Sequence, residues 1–154
     1  MTYDRRSFLR AAAASTAALL VLPSLVEAAA KGTPITVYKT ASCGCCKAWV
    51  EHLTRNGFSP TTHDLPDLSE TKDSLGVPNA LRSCHTAVLG RYVFEGHVPA
   101  DLIKKVVADK PAILGLAVPG MPAGSPGMEV PGRKDAYDVI AFTRDGKRSI
   151  YAKR

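Results

Sequence analysis

The fold is decided by ITVYKTASCGCC, residues 35–46. The first five residues alternate in polarity and are rich in β-branched side chains, which predicts a strand over 35–39. Residues 40–42 form a short turn, and a helix is predicted to begin at Cys43 with Ser42 as its N-cap. Three of the four cysteines therefore lie where a strand feeds a helix, and a helix N-terminus favours thiolate over thiol.

The remainder of the chain continues this alternation of strands and helices. The first helix ends at Asn56-Gly57, and Gly90-Arg91 is a two-residue hairpin loop. Further strands are predicted at 58–65, 86–89, 92–95, 136–142 and 148–151, and further helices at 67–75 and from 98 onward. The order strand, helix, strand, helix, hairpin, helix resembles the thioredoxin-like fold. We therefore predict an α/β fold of this kind, with a central mixed sheet, flanking helices and a long Gly/Pro loop.

That loop is predicted to span 115–132, where five glycines and four prolines exclude any regular element. Long loops in small domains are usually functional or disordered. Met121 and Met128 both lie in it, so core packing does not explain them well. Thioether sulfur is a soft ligand suited to Cu(I). Each methionine is therefore a candidate copper ligand, with a role as a loop anchor or contact patch as the alternative.

The N-terminal segment, residues 1–30, is predicted to be a twin-arginine (Tat) signal peptide. Arg5-Arg6 is followed by an alanine-rich apolar run over 11–22 and by Ala28-Ala29-Ala30, an A-x-A cleavage site. The apolar run is shorter than the roughly 20 residues that a spanning helix needs. The expected mature chain, 31–154, is a single thioredoxin-like copper-binding domain, exported to the periplasm and not membrane-spanning. An uncleaved anchor is the alternative.

The charge pattern argues against a nucleic-acid partner. The chain has 20 Lys and Arg against 14 Asp and Glu, a net charge of +6. The basic residues are dispersed among acids and do not interleave with aromatic side chains, as a nucleic-acid surface would require.

The fourth cysteine, Cys84, is followed directly by His85 just before the predicted hairpin. In thioredoxin-like folds the corresponding loop faces the CxxC and usually carries a proline, which is absent here. A cysteine there would aim a fourth sulfur at the first three. His85 is a candidate ligand or a donor to one, with a surface imidazole as the alternative. Two structural disulfides are the alternative for the cysteines.

The other histidines carry weaker predictions. His52 and His63 have no cysteine neighbour in sequence and are expected to be solvated or capping side chains. His97 lies at the junction of the hairpin and the third helix, from which it could approach the sulfur cluster.

Four motifs in order resemble the CopG-like family of small periplasmic copper-resistance proteins, formerly a domain of unknown function. They are CGCC at 43–46, SCHT at 83–86, EGHVP at 95–99, and GLAVPGMP at 115–122 continuing to GME at 127–129. The resemblance implies a thioredoxin-like fold and copper bound by Cys43, Cys45, Cys46 and Cys84. His85, Met121 and Met128 are less certain ligands. It also implies a role in copper resistance, with interconversion of Cu(I) and Cu(II).

Three functions follow as hypotheses. The first is a periplasmic copper-binding protein whose partners are copper ions and copper-handling proteins of the periplasm, acting as a copper oxidoreductase if turnover occurs. The second is a thiol–disulfide oxidoreductase that uses Cys43 and Cys46. The third is a structural zinc site. This hypothesis leaves Met121 and Met128 without a role, because zinc in such sites is bound by cysteine and histidine.

Overall fold

The structure, a computed structural model, describes residues 32–154. The predicted signal peptide lies outside the described residues. Within them, seven strands and three helices follow one another, with a 3₁₀ turn at Asn79–Leu81 between α2 and β3. The elements are β1 (Thr33–Lys39), α1 (Gly44–Arg55), β2 (Phe58–Asp64), α2 (Ser69–Ser74), β3 (His85–Leu89), β4 (Tyr92–Gly96), α3 (Ala100–Asp109), β5 (Gly115–Val118), β6 (Asp138–Phe142) and β7 (Arg148–Lys153).

All seven strands form one mixed sheet in the order β2-β1-β3-β4-β5-β6-β7. The β1–β2 and β4–β5 pairs are parallel, and the other neighbouring pairs are antiparallel. The predicted α/β fold, with a central mixed sheet and flanking helices, is confirmed. The observed order from β1 through α3 is strand, helix, strand, helix, hairpin, helix, as predicted from the sequence.

The pairing brings four chain segments to one end of the sheet. Lys39, the last residue of β1, pairs with His85, the first residue of β3. Gly96, the last residue of β4, pairs with Val118, the last residue of β5. The turn into α1, the residue before β3, the residue after β4 and the start of the Gly/Pro loop therefore lie side by side. This end of the sheet carries all four sequence motifs.

Two hydrophobic clusters hold the sheet, and they divide as the alternation of strand side chains requires. The larger contains Trp49 and Leu53 of α1 together with Ile103 and Val106 of α3. The smaller contains Val77, Leu81, Val93, Leu114, Ala117 and Phe142. On α3, Leu102, Ile103 and Val106 are buried and Val107 is half-buried. The helix α1 is thereby fixed against the sheet by its apolar face, with its N-terminus at the motif-bearing end.

Two sequence predictions about elements were wrong. The segment 115–132 is not irregular throughout, because Gly115–Val118 forms the fully buried strand β5. Its glycine permits this, since a β-carbon at Gly115 would overlap the carbonyl oxygen of Val93 on the neighbouring strand. The N-cap of α1 is Cys43 and not Ser42, because the Cys43 sulfur itself accepts from the backbone N–H of Cys46.

No helix in residues 32–154 is long and apolar enough to cross a membrane.

Candidate metal centre

The first turn of α1 presents three cysteines together. Cys43 caps the helix, and its Sγ lies 3.3 Å from the N–H of Cys46. Gly44 opens the helix and leaves open space at its α-carbon. Cys43 and Cys46 are joined by a disulfide, while Cys45 and Cys84 are free thiols. The CxxC in this position is therefore in its oxidised form.

Cys84 completes the cluster from the other side. Its Sγ lies 3.7 Å from the Sγ of Cys45, which is itself 3.5 Å from the Sγ of Cys43. The Sγ of Cys46 lies 3.6 Å from the carbonyl oxygen of Cys84. All four sulfurs lie within 4.8 Å of one another. The predicted convergence of the four thiols is thus present, with two of them bonded to each other.

A second group of possible ligands shares Cys84 and adds two histidines. The Sγ of Cys84 lies 3.3 Å from Nδ1 of His85 and 3.3 Å from Nε2 of His97. Both imidazoles are fully buried, and their rings meet edge to face with centroids 4.9 Å apart. His85 is therefore not a surface imidazole, and His97 does approach the sulfur cluster.

Hydrogen bonding fixes the tautomer of His97. Its Nδ1 lies 2.8 Å from the carbonyl oxygen of Pro126, which can only accept, so Nδ1 carries the proton. Nε2 then faces Cys84 as an acceptor. His85 packs against Trp49, with ring centroids 4.4 Å apart, and its Nε2 is buried without a hydrogen-bond partner. The His97 ring thus presents an acceptor nitrogen to the sulfur of Cys84, and the His85 ring places its Nδ1 at the same sulfur.

The electrostatics of the metal-free site favour neutral groups. Burial, together with the neighbouring Cys45, raises the pKa of Cys84 to about 12. Burial, followed by the charges of His97 and Lys72, holds the pKa of His85 well below its usual range. Burial likewise lowers the pKa of His97. A soft cation that binds here must displace the thiol proton of Cys84, because thiolate is the ligand form.

The Gly/Pro loop closes over α1 beside the cluster. Pro126 accepts from His97, and Gly127 packs on the backbone of Cys45 and Trp49. Met128 follows directly, and its N–H donates to Ser125 across a tight turn. Met121, at φ 50°, is 42% exposed. The loop thus brings the neighbour of Met128 to the backbone of α1 at Cys45, and both methionines stay candidate ligands.

Replacing Gly127 by alanine should loosen this loop. Gly127 has φ +84°, and a β-carbon would lie 2.7 Å from the Trp49 nitrogen and 2.9 Å from the Cys45 oxygen. We expect Gly127→Ala to lower the free energy of unfolding by about 2–3 kcal/mol, from left-handed strain plus the clash. Gly120→Ala is the control, because Gly120 has φ +78° and no atom within 4 Å of an added β-carbon. It introduces left-handed backbone strain without a clash, and should lower the free energy of unfolding by about 1 kcal/mol. Equal losses in urea unfolding would contradict the packing of the loop on α1.

The remaining histidines lie as the sequence predicted. The Nε2 of His52 accepts from the N–H of Ala100, the first residue of α3, at 3.2 Å. His63 is exposed and stacks on Tyr38. His52 is therefore a capping side chain and His63 a solvated one.

The cap at His52 predicts a pH dependence of stability. Burial lowers the pKa of His52, so the unfolded chain takes up a proton near pH 6.5 before the folded chain does. Stability contributed by His52 is present above about pH 6.5 and is lost as the pH falls below it. His52→Gln keeps an acceptor for Ala100 without titrating. We expect it to reduce the fall in stability between pH 7 and 5 by up to about 1 kcal/mol.

This dependence is measured by urea unfolding of the metal-free protein across that pH range. His63→Gln is the matched control, and it should leave the profile of the wild type unchanged. A His52→Gln profile parallel to that of the wild type would contradict the capping role.

Comparison with known proteins agrees with the geometry. The structure matches "Copper resistance protein copG- Form 1" with a TM-score of 0.76 and 48% identity, covering 80% of this chain and 98% of that one. The chain belongs to the CopG-like family. The structure "Copper resistance protein copG- Form 2" matches with a TM-score of 0.75 and 49% identity, covering 79% and 97%. The family model described as "Protein of unknown function, DUF411" matches residues 81–128, and no curated protein matches.

In this CopG-like chain, the sequence predicted only weakly that His97 approaches the cysteines. It did not predict the buried pair of Lys72 and Glu95. Two-residue hairpin loops set register, and the observed pairing of Thr86 with Glu95 extends to place Cys84 opposite His97. The two-residue loop at Gly90-Arg91 could therefore have been used to predict that His97 lies opposite Cys84. No periodicity marks Lys72, because it lies on a short polar helix.

Proposed function

We propose that this protein binds Cu(I) in copper resistance through Cys43, Cys45, Cys46 and Cys84. The observation that carries the proposal is the approach of four sulfurs to within 4.8 Å of one another at the motif-bearing end of the sheet. Thiolates are the soft ligands that select Cu(I). The relatives with this fold carry the name copper resistance protein.

The surrounding donors fit the same cargo. His85 and His97 offer neutral imidazole nitrogens 3.3 Å from the Cys84 sulfur, and imidazole is a good ligand for copper. Met128 lies one residue from the contact between the Gly/Pro loop and α1, and Met121 is an exposed residue of the same loop. We propose His85, Met121 and Met128 as additional ligands, and His97 as a ligand or as the group that orients Cys84.

The disulfide links copper binding to redox chemistry. Binding by four thiolates requires two electrons to reduce the bond between Cys43 and Cys46. In the reverse sense, the reduced pair can give one electron to each of two Cu(II) ions. This forms the disulfide and two Cu(I) ions and releases two protons. We propose this exchange as the route by which the protein would interconvert the two copper states.

We also propose a location and partners, on the basis of the sequence. A Tat signal over residues 1–30 would export the protein to the periplasm after folding. The metal would there be exchanged with other copper-handling proteins. Removal of residues 1–30 would leave the cysteine site intact, because all of its residues lie within 32–154.

The disulfide also favours a second function. A CxxC disulfide at the start of a helix, with Cys45 3.5 Å from Cys43, is arranged for thiol–disulfide exchange. In that case Cys45 or Cys84 would act as the resolving thiol. The metal-free protein would then turn over a disulfide substrate.

Metal competition separates these functions. The protein is reduced, freed of reductant under anaerobic conditions, and offered Cu(I) and Zn²⁺ together in the presence of a Cu(I) chelator. The copper proposal predicts that Cu(I) is retained and Zn²⁺ is excluded. Retention of zinc alone would indicate the structural zinc site. Protein that retains neither metal, and that in a separate metal-free assay with an added dithiol as electron donor reduces a disulfide substrate catalytically, would indicate the oxidoreductase.

A further inference from the structure

A buried ion pair lies next to the loop that carries Cys84. The Nζ of Lys72 on α2 is 2.5 Å from Oε1 of Glu95 on β4, and both side chains are buried. Removing two charges from water is costly, and such pairs are often no more stabilising than apolar residues of similar volume. Stability alone therefore does not account for this pair.

The pair is hydrogen-bonded to the chain on both sides of the Cys84-His85 motif. Oε1 of Glu95 accepts from the backbone N–H of Ser83 at 2.6 Å, and its Oε2 accepts from the hydroxyl of Thr86 at 2.6 Å. Lys72 also donates to the Thr86 hydroxyl oxygen at 2.9 Å. The carboxylate thus binds the residue before Cys84 and the residue after His85.

The segment between the 3₁₀ turn and β3 is held at two successive residues. The Arg82 guanidinium donates to the carbonyl oxygen of Val77 and pairs with Asp73, and Ser83 is held by Glu95. Ser83 lies outside both elements, and its N–H points to Glu95 instead of to a neighbouring strand. The segment Arg82-Ser83-Cys84 also contains no proline that would restrict its backbone. The bond from Ser83 to Glu95 therefore fixes the backbone one residue before Cys84.

We propose that Glu95, with its charge balanced by Lys72, is a positioning residue that holds the Cys84 thiol against Cys45 and the two histidines. Lys72 donates to Oε1 of Glu95, and the same oxygen accepts from the backbone N–H of Ser83. This positioning role belongs to the site of the proposed copper function. Only its Cu(I) affinity test rests on that proposed function.

Two double variants test this role without leaving a lone buried charge. Lys72→Met with Glu95→Leu removes the ion pair and the acceptor for Ser83. Lys72→Met with Glu95→Gln removes the same charges but keeps an amide oxygen at that place. A purely structural pair predicts the same behaviour for both. Positioning predicts that the glutamine variant keeps the wild-type site and the leucine variant does not.

The first measurement is alkylation of the free thiols in the metal-free, disulfide-bonded protein, followed residue by residue by mass spectrometry. Cys45 is the internal reference. We expect the rate at Cys84 relative to Cys45 to rise at least about tenfold in the leucine variant, because a hydrogen bond to a charged acceptor is lost. The glutamine variant should stay within about twofold of the wild type, since a neutral bond remains.

The second measurement is Cu(I) affinity after reduction. Loss of an outer partner typically costs about 10–100-fold in metal affinity, and we expect a loss in that range for the leucine variant. Val106→Ala, a core change on α3, controls for a general loss of stability and should keep the wild-type affinity. A wild-type protein that binds no copper would refute the proposed function while leaving the alkylation contrast as a test of positioning.

If the leucine variant does not fold, Glu95→Asp replaces it, because it keeps the charge beside Lys72 and withdraws the acceptor from Ser83. Faster alkylation of Cys84 in the folded variant supports the proposal. Wild-type alkylation of Cys84 in folded leucine or aspartate variants would overturn it.

Discussion

Replacing Cys43 and Cys46 together by serine should abolish tight Cu(I) binding. The two residues supply half of the sulfurs in the cluster, and serine hydroxyls are poor ligands for a soft cation. Outer-shell changes typically cost about 10–100-fold in affinity, so loss of two direct ligands should exceed 100-fold. Competition against a Cu(I) chelator under anaerobic conditions measures the change.

The same double variant provides its own structural check. Cys43 is also the N-cap of α1, and serine is a good N-cap, so the helix should be retained. Because the variant lacks the disulfide, its free energy of unfolding should be lower than that of the wild type under oxidising conditions and similar to it under reducing conditions. Thr54→Ser, at the far end of the same helix, is the control and should leave the affinity unchanged. Normal copper binding by the double variant would rule out the proposed ligand set.

Replacing Trp49 by alanine should cause the largest loss of stability. The indole is fully buried between α1 and the sheet, packs on His85, and donates to the carbonyl oxygen of Val98 at 2.9 Å. Truncating a buried tryptophan costs about 3–5 kcal/mol. Since Val98 precedes α3, the loss also frees the junction that carries His97. Urea unfolding followed by circular dichroism, with the disulfide intact, measures the effect.

The milder variant Trp49→Phe separates packing from the hydrogen bond. It keeps an aromatic ring but leaves the Val98 oxygen without its donor, so we expect a loss of about 1–3 kcal/mol. A loss below about 1 kcal/mol for Trp49→Ala would contradict the placement of Trp49 in the core.

Local signals were sufficient for most of the fold. The alternation over 35–39, the helix stop at Asn56-Gly57 and the hairpin loop at Gly90-Arg91 each correspond to an observed boundary within a few residues. These features depend on neighbouring residues alone. The β5 strand escaped prediction because a four-residue buried strand between glycine and proline has the composition of a loop. Its pairing with β4 and β6 decides its conformation.

The candidate site divides in the same way. The convergence of Cys84 on the CxxC could be predicted, because the loop before the hairpin faces the CxxC in thioredoxin-like folds. The burial of His85 could not, since it depends on Trp49 and on the sheet end formed by β1, β3 and β4. The bond between Cys43 and Cys46 was one of several open pairings. The role of Glu95 is visible in three dimensions alone, because Ser83 is twelve residues away.

The most direct test of the copper assignment is a joint count of bound copper and free thiols. The protein is reduced, loaded anaerobically with Cu(I) against a competing chelator, and analysed for metal per chain and for cysteines open to alkylation. We predict tight copper binding with Cys43, Cys45, Cys46 and Cys84 all protected. Weak binding, or copper bound while these four cysteines react freely, would contradict the assignment.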